Sequence, residues 1–131
     1  MPHTARDLLR GEPLLVAAAT PLLEIPHLLV LAQVSAMPVI DDAGHVVGLL
    51  SADDVLRAFD QVLDAEEGLA QLAKLTAVDI ATPDAMWVAP DAPSAQIAAR
   101  MRSAGVHRVL VGDGKQLDGV LTAFDLLAAI A

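Results

Sequence analysis

Apolar and polar positions along this chain fall into short blocks, not into one long periodicity. Compact apolar blocks bounded by Gly, Pro and Asp predict brief strands at Leu14–Ala17, Met37–Ile40, His45–Leu50, Met86–Ala89, Val109–Val111 and Leu117–Leu121. Helical spacing is clearest where Ile97, Met101 and Ala104 make an apolar stripe, with Asp91 as the expected cap and Gly105 as the terminator. The corresponding earlier helix contains Pro26, so it either begins late, with Pro26 in its first turn, or is kinked there. Further helices are predicted from Ser51 and from Thr122, and short helical lead-ins at Ala5–Leu9 and Ala77–Ala81. Residues 60–76 (DQVLDAEEGLAQLAKLT) predict a helical continuation interrupted near Gly68.

The order of these elements occurs twice. Val16, Pro21 and Ile25 return as Val88, Pro93 and Ile97 at a constant shift of 72, and VSAMPVID (34–41) lies over VHRVLVGD (106–113) at the same shift. One residue is then lost in a Gly/Asp turn, so GLLSADD (48–54) falls on GVLTAFD (119–125) at a shift of 71. A single deletion in a surface turn is what a repeated fold tolerates. The predicted organisation is a first repeat over 1–60, a helical connector over 61–76 and a second repeat over 77–131, each repeat reading strand, helix, strand, strand, helix.

Composition narrows the function classes. The chain has 131 residues, 55% apolar and 2% aromatic, so its core must come from many small aliphatic contacts. Cysteine is absent, which excludes disulfides, thiol nucleophiles and thiolate metal sites. No apolar run approaches the roughly 18–20 residues that span a bilayer, and the first residues lack a signal-peptide core; the expected setting is the cytoplasm, with no membrane partner. A net charge of -9 disfavours nucleic acid. Most of that acidity lies early: residues 1–65 carry three bases and nine acids, residues 76–131 four and six. His3, His27, His45 and His107 have no ligand spacing, so no built-in metal site is expected. The neighbouring carboxylates Asp41–Asp42 and Asp53–Asp54 lack an accompanying nucleophile, and the expectation is a protein without catalytic activity.

With a Pro-Val-Ile-Asp-like strand, an Asp/Gly turn and Gly-apolar-apolar-(Ser/Thr)-x-x-Asp in each copy, the chain resembles a tandem pair of cystathionine β-synthase (CBS) domains over about residues 4–131. The resemblance implies an α/β (α+β) fold of two β-α-β-β-α repeats related by a pseudo-two-fold axis, their sheets packed together and two clefts between them. In that family the clefts commonly bind adenine nucleotides or related adenosyl ligands, and modules commonly pair into a disc-shaped homodimer.

The Ser/Thr-x-x-Asp element has two physical readings. Ser51 with Asp54, and Thr122 with Asp125, can cap a helix and complement its dipole. The same hydroxyl and free amides favour a phosphate, and the carboxylate can accept two bonds from vicinal ribose hydroxyls. The resemblance carries the ligand-binding roles to Ser51, Asp54, Thr122 and Asp125, and to the segments before the second strand of each repeat, Val34-Ser35-Ala36 and Val106-His107-Arg108. Of these two segments, the second can donate to phosphate through His107 and the permanently charged fork of Arg108. Trp87, the sole tryptophan, is expected beside the strand that opens the second cleft. Leu28–Leu31 and the Ala-rich C-terminal helix exceed what each half needs for itself, which suggests burial against a second copy.

The functional expectation is a regulatory module that binds AMP, ADP or ATP, with or without magnesium, and passes its occupancy to another chain. Two alternatives stand beside it: a dimerisation scaffold in which both Ser/Thr-x-x-Asp elements are only caps, and a sensor of S-adenosylmethionine or a dinucleotide.

Overall fold

The computed structural model describes residues 3–62, 64 and 66–130. Among these the elements run α1 (Ala5–Leu8), β1 (Val16–Ala17), a 3-10 turn (Leu22–Glu24), α2 (Ile25–Ala32), β2 (Ala36–Ile40), β3 (Val46–Ser51), α3 (Ala52–Val62), α4 (Gly68–Lys74), α5 (Ala77–Ile80), β4 (Trp87–Val88), α6 (Ser94–Ala104), β5 (Arg108–Gly112), β6 (Leu117–Thr122) and α7 (Ala123–Ile130). All six predicted strands are present. Two three-stranded sheets form, β1-β2-β3 and β4-β5-β6, each with one parallel and one antiparallel pairing. The repeat read from the sequence is therefore a repeat of the fold.

Local differences have local causes. Pro26 lies in the first turn of α2, where its missing N–H costs nothing, and no kink is needed. Asp91 does not cap α6: the helix begins at Ser94 after Pro93, whose fixed φ of -65° sets the chain direction instead. Gly105 ends α6 with φ 68°, and at the repeat-equivalent end of α2 Gln33 adopts the same left-handed conformation at φ 54°. Gly68 opens α4. Ser51 and Thr122 are the last residues of β3 and β6, one position before their helices.

The chain divides into two compact units that do not follow the repeat boundaries: one comprises Met1–Pro13 with Ala85–Ala131, the other Leu14–Asp84. Each lead-in helix joins the unit built on the other repeat. In the first of these units the Ala5 and Arg6 amides donate to the Ala92 and Pro90 carbonyls, and Ala5 is buried with Val88, Ile97, Met101, Val109, Val111 and Leu121. In the second, Ala77 and Val78 donate to Thr20 and Ala18, and Ala77 is buried with Val16, Leu22, Ile25, Met37, Val39, Leu50 and Leu72. Hydrophobic burial of these aliphatic sets is the main favourable term in each unit. Both lead-ins start with reciprocal caps, the Thr4 and Thr76 amides donating to Asp7 and Asp79 at 3.0 and 2.8 Å.

A glycine of each sheet makes room for the chain leaving the lead-in helix. A Cβ on Gly48 would lie 3.0 Å from the Thr82 carbonyl oxygen, and one on Gly119 would lie 2.6 Å from Leu9 Cδ2. Thr82 also bridges to Leu49 through paired backbone hydrogen bonds of 2.9 Å. The residues after α5 and α1 are thereby held beside β3 and β6.

The charge follows the units closely. The unit Leu14–Asp84 carries two basic and eleven acidic residues, and the unit Met1–Pro13 with Ala85–Ala131 six of each. The whole formal charge of -9 thus resides in the first of these.

Candidate functional site

Both Ser/Thr-x-x-Asp elements fold as reciprocal caps at a strand-to-helix junction. Asp54 Oδ2 accepts from the Ser51 amide at 2.8 Å and the Ser51 hydroxyl at 3.0 Å, while Ser51 Oγ accepts from the Asp54 amide at 3.2 Å. Asp125 Oδ2 accepts from the Thr122 amide at 2.8 Å and hydroxyl at 3.2 Å, and Thr122 Oγ1 accepts from the Asp125 amide at 3.3 Å. The capping half of the motif is therefore real in both copies, and it leaves Oδ1 of each aspartate for other use.

The two outer oxygens differ. Asp54 Oδ1 accepts from Arg57 Nη1 at 3.1 Å and from the Thr82 hydroxyl at 3.3 Å, and Asp54 is 5% exposed. Asp125 Oδ1 faces Arg10 Nε at 3.6 Å, an ion pair whose arginine side chain is 73% exposed. Arg10 and Thr82 are equivalent under the 72-residue shift, both following a lead-in helix. Arg57 corresponds to Ala128 under the 71-residue shift, so the second copy lacks that partner. Asp54 is thus tied by short contacts from its own helix and from the lead-in, whereas Asp125 meets a side chain largely in water. Sequence reasoning missed Arg10, Arg57 and Thr82. The repeat shift was the signal for Arg10 and Thr82, and the i,i+3 helical spacing the signal for Arg57.

The segments before β2 and β5 reach the same junctions. The Ser35 and His107 carbonyls each accept a 2.9 Å hydrogen bond, from Ala52 and Ala123 respectively. Ala36 pairs with Ser51 across the ladder and Arg108 with Thr122. Directly opposed residues share a sheet face, so Arg108 is on the face of Thr122 and Ala36 on that of Ser51. Arg108 is half-buried and engaged in an interaction of its own. His107 and Val106 also line a cleft of about 540 Å³ beside α6 and α7 that contacts Ala98, Met101, Ala123 and Leu127. His107 therefore adjoins the Thr122–Asp125 corner through its carbonyl bond to Ala123, and Arg108 reaches it across the ladder from Thr122. Val34 is exposed and donates to the Leu29 carbonyl at 3.2 Å, the turn that leads into β2. Trp87 opposes Leu110 in β4–β5 and reaches Gly112, where a Cβ would be 2.8 Å from its ring.

Among the described residues no group of three or more His, Asp or Glu side chains could hold a metal ion, and no helix is long and apolar enough to cross a membrane.

The family model of the CBS domain matches residues 5–61 and again residues 77–131. The chain belongs to the CBS domain family. As a tandem CBS pair it is similar over nearly its full length to solved structures. The CBS domain of a CBS domain containing membrane protein from Sphaerobacter thermophilus is 26% identical, with a TM-score of 0.80, covering 95% of this chain and 86% of that one. CBSX2, solved in complex with AMP, is 25% identical, with a TM-score of 0.79 and coverage of 98% and 96%. The CBS domain pair of protein MJ0100, solved with 5'-methylthioadenosine and S-adenosyl-L-methionine, is 22% identical, with a TM-score of 0.82 and coverage of 99% and 97%. None of the curated proteins matches the chain.

Proposed function

We propose that this CBS pair is a regulatory module that binds an adenine nucleotide at the Thr122–Asp125 corner and transmits its occupancy to another chain. The observation that carries this reading is the contrast between two otherwise identical caps. Asp54 Oδ1 is held by Arg57 and Thr82, whereas Asp125 Oδ1 has an exposed guanidinium at 3.6 Å. A carboxylate oxygen in that state can accept from ribose hydroxyls by displacing one weak surface ion pair. Arg108, on the Thr122 face, supplies positive charge for a phosphate, and the unit carries no net charge to repel an anion. The adenosyl class is supported by the AMP complex of CBSX2 and the adenosyl complexes of MJ0100. Ser51 and Asp54 remain available as a second site in which binding would first have to break the Arg57 and Thr82 contacts.

Signalling requires differential affinity: the ligand must favour one arrangement of the chain over another, since equal affinity for both shifts nothing. The protein transmitting that change is read here as a homodimer and as non-catalytic. Exposed Phe124 and Leu127 beside the cleft of α6 and α7 form the face we assign to the second copy.

A melting series with AMP, ADP, ATP and S-adenosylmethionine tests the binding claim. A ligand at a hundredfold over its Kd adds about 2.7 kcal/mol, which raises the midpoint of a chain this size by roughly 10 °C. Absence of a shift with every adenosyl compound refutes the reading.

A further inference from the structure

We infer that Arg10 is a specificity-determining residue of the Asp125 corner, selecting phosphate-bearing adenosyl ligands over uncharged or cationic ones. The inference rests on the proposed adenosyl site and names the feature of the ligand that this site reads.

Three observations place Arg10 in that role. Its neighbour is anchored: the Leu9 side chain packs over Gly119 of β6, which holds the chain at Arg10 beside that strand irrespective of what the Arg10 side chain does. Its side chain is not fixed: the guanidinium reaches Asp125 Oδ1 at 3.6 Å while remaining 73% exposed, and an ion pair in that setting is weak and readily exchanged. Its counterpart in the other repeat is uncharged: Thr82 fills the equivalent position and hydrogen-bonds Asp54 Oδ1 at 3.3 Å. The two corners share a cap and differ in what the lead-in brings to it, a permanent cation in one and a hydroxyl in the other.

The exchange of lead-in helices between repeats has an electrostatic result. It brings Arg6 and Arg10 into the unit that already holds Arg100, Arg102, Arg108 and Lys115, and leaves the remaining unit with two bases against eleven acids. When a nucleotide's ribose takes Asp125 Oδ1, Arg10 loses its carboxylate partner and can take a phosphate oxygen in its place, so the corner keeps its charges paired. Adenosine offers no such replacement and leaves a cation without a partner. S-adenosylmethionine brings one carboxylate against a sulfonium and an ammonium, so it approaches that guanidinium as a net cation, and like charges repel.

Binding constants for ATP, AMP, adenosine and S-adenosylmethionine, measured on the wild type, Arg10→Thr and Arg10→Lys, test this. Arg10→Thr copies the Thr82 corner at an exposed position, so the fold should be retained. The expected result is a loss of about tenfold for ATP, the size of one charge-assisted contact. Adenosine should bind unchanged or more tightly, with Arg10→Lys between the two for ATP. Equal factors for ATP and adenosine in Arg10→Thr, or no change in either, overturn the role of Arg10 while leaving the site itself intact. Tighter wild-type binding of S-adenosylmethionine than of ATP also overturns it. A wild type that binds none of the four overturns both this inference and the reading on which it rests.

Discussion

Replacing each capping aspartate in turn separates structure from function in the two repeats. In Asp54→Ala, the Ser51 amide and hydroxyl, the Thr82 hydroxyl and the Arg57 guanidinium all lose their acceptor at a carboxylate that is 5% exposed. Arg57 is well exposed and rehydrates, so its loss counts for little. The remaining donors at about 1 kcal/mol each put the cost at about 2–3 kcal/mol. In Asp125→Ala the lost acceptor served the Thr122 amide and hydroxyl together with one exposed ion pair, a cost of about 1–1.5 kcal/mol in the range of a helix cap. At roughly 4 °C per kcal/mol for this size, the midpoints should fall by about 10 °C and about 5 °C. Thermal unfolding followed by circular dichroism, with and without ATP, reads both quantities. Asp54→Ala should keep the nucleotide-induced rise and Asp125→Ala should lose most of it. Equal destabilisation of the two variants, or loss of the nucleotide response in Asp54→Ala alone, refutes the assignment of roles.

Three further outcomes are expected. Gln33→Gly, at a left-handed position that its repeat counterpart Gly105 occupies without strain, should raise the melting midpoint by about 2–4 °C; a decrease refutes the strain argument. Asp113 has its carboxyl held below the usual carboxylate range by the Gln116 and Lys115 amides. A folded-state pKa below the unfolded value gives stability that is present above about pH 4 and lost as pH falls through the folded value, so Asp113→Asn should flatten that acid limb; an unchanged limb contradicts it. Sedimentation velocity should show a dimer that Phe124→Glu dissociates, and a wild-type monomer at micromolar concentration removes the assigned face.

Much of the architecture was legible in the residues because a repeat states its pattern twice. Strand positions and the break near Gly68 follow from apolar blocks and Gly chemistry, whereas Pro26 left a late start and a kink both open until the structure placed it in the first turn of α2. Asp91 misled because a good capping residue two positions before a proline is overruled by the proline's fixed backbone angle. The exchange of lead-in helices left little local trace, since Ala5 and Ala77 are small apolar residues that suit either core. For the candidate site, the Ser/Thr-x-x-Asp spacing found both caps. What distinguishes them depends on Arg10 and Thr82, which are far in sequence from the carboxylates they meet. The same spacing at Thr4–Asp7 and Thr76–Asp79 makes exposed caps, so spacing alone does not identify a ligand corner. His107 and Arg108, adjacent in sequence, meet the same junction in different ways, His107 through its carbonyl bond to Ala123 and Arg108 across the ladder from Thr122.

The central claim is that the Asp125 corner binds an adenine nucleotide. Calorimetric titration of AMP, ADP and ATP into the wild type and into Asp125→Ala tests it most directly. Saturable binding of at least one nucleotide by the wild type, with affinity lowered at least tenfold in a folded Asp125→Ala, is the predicted result. No binding by the wild type, or equal affinity in the two proteins, contradicts the account.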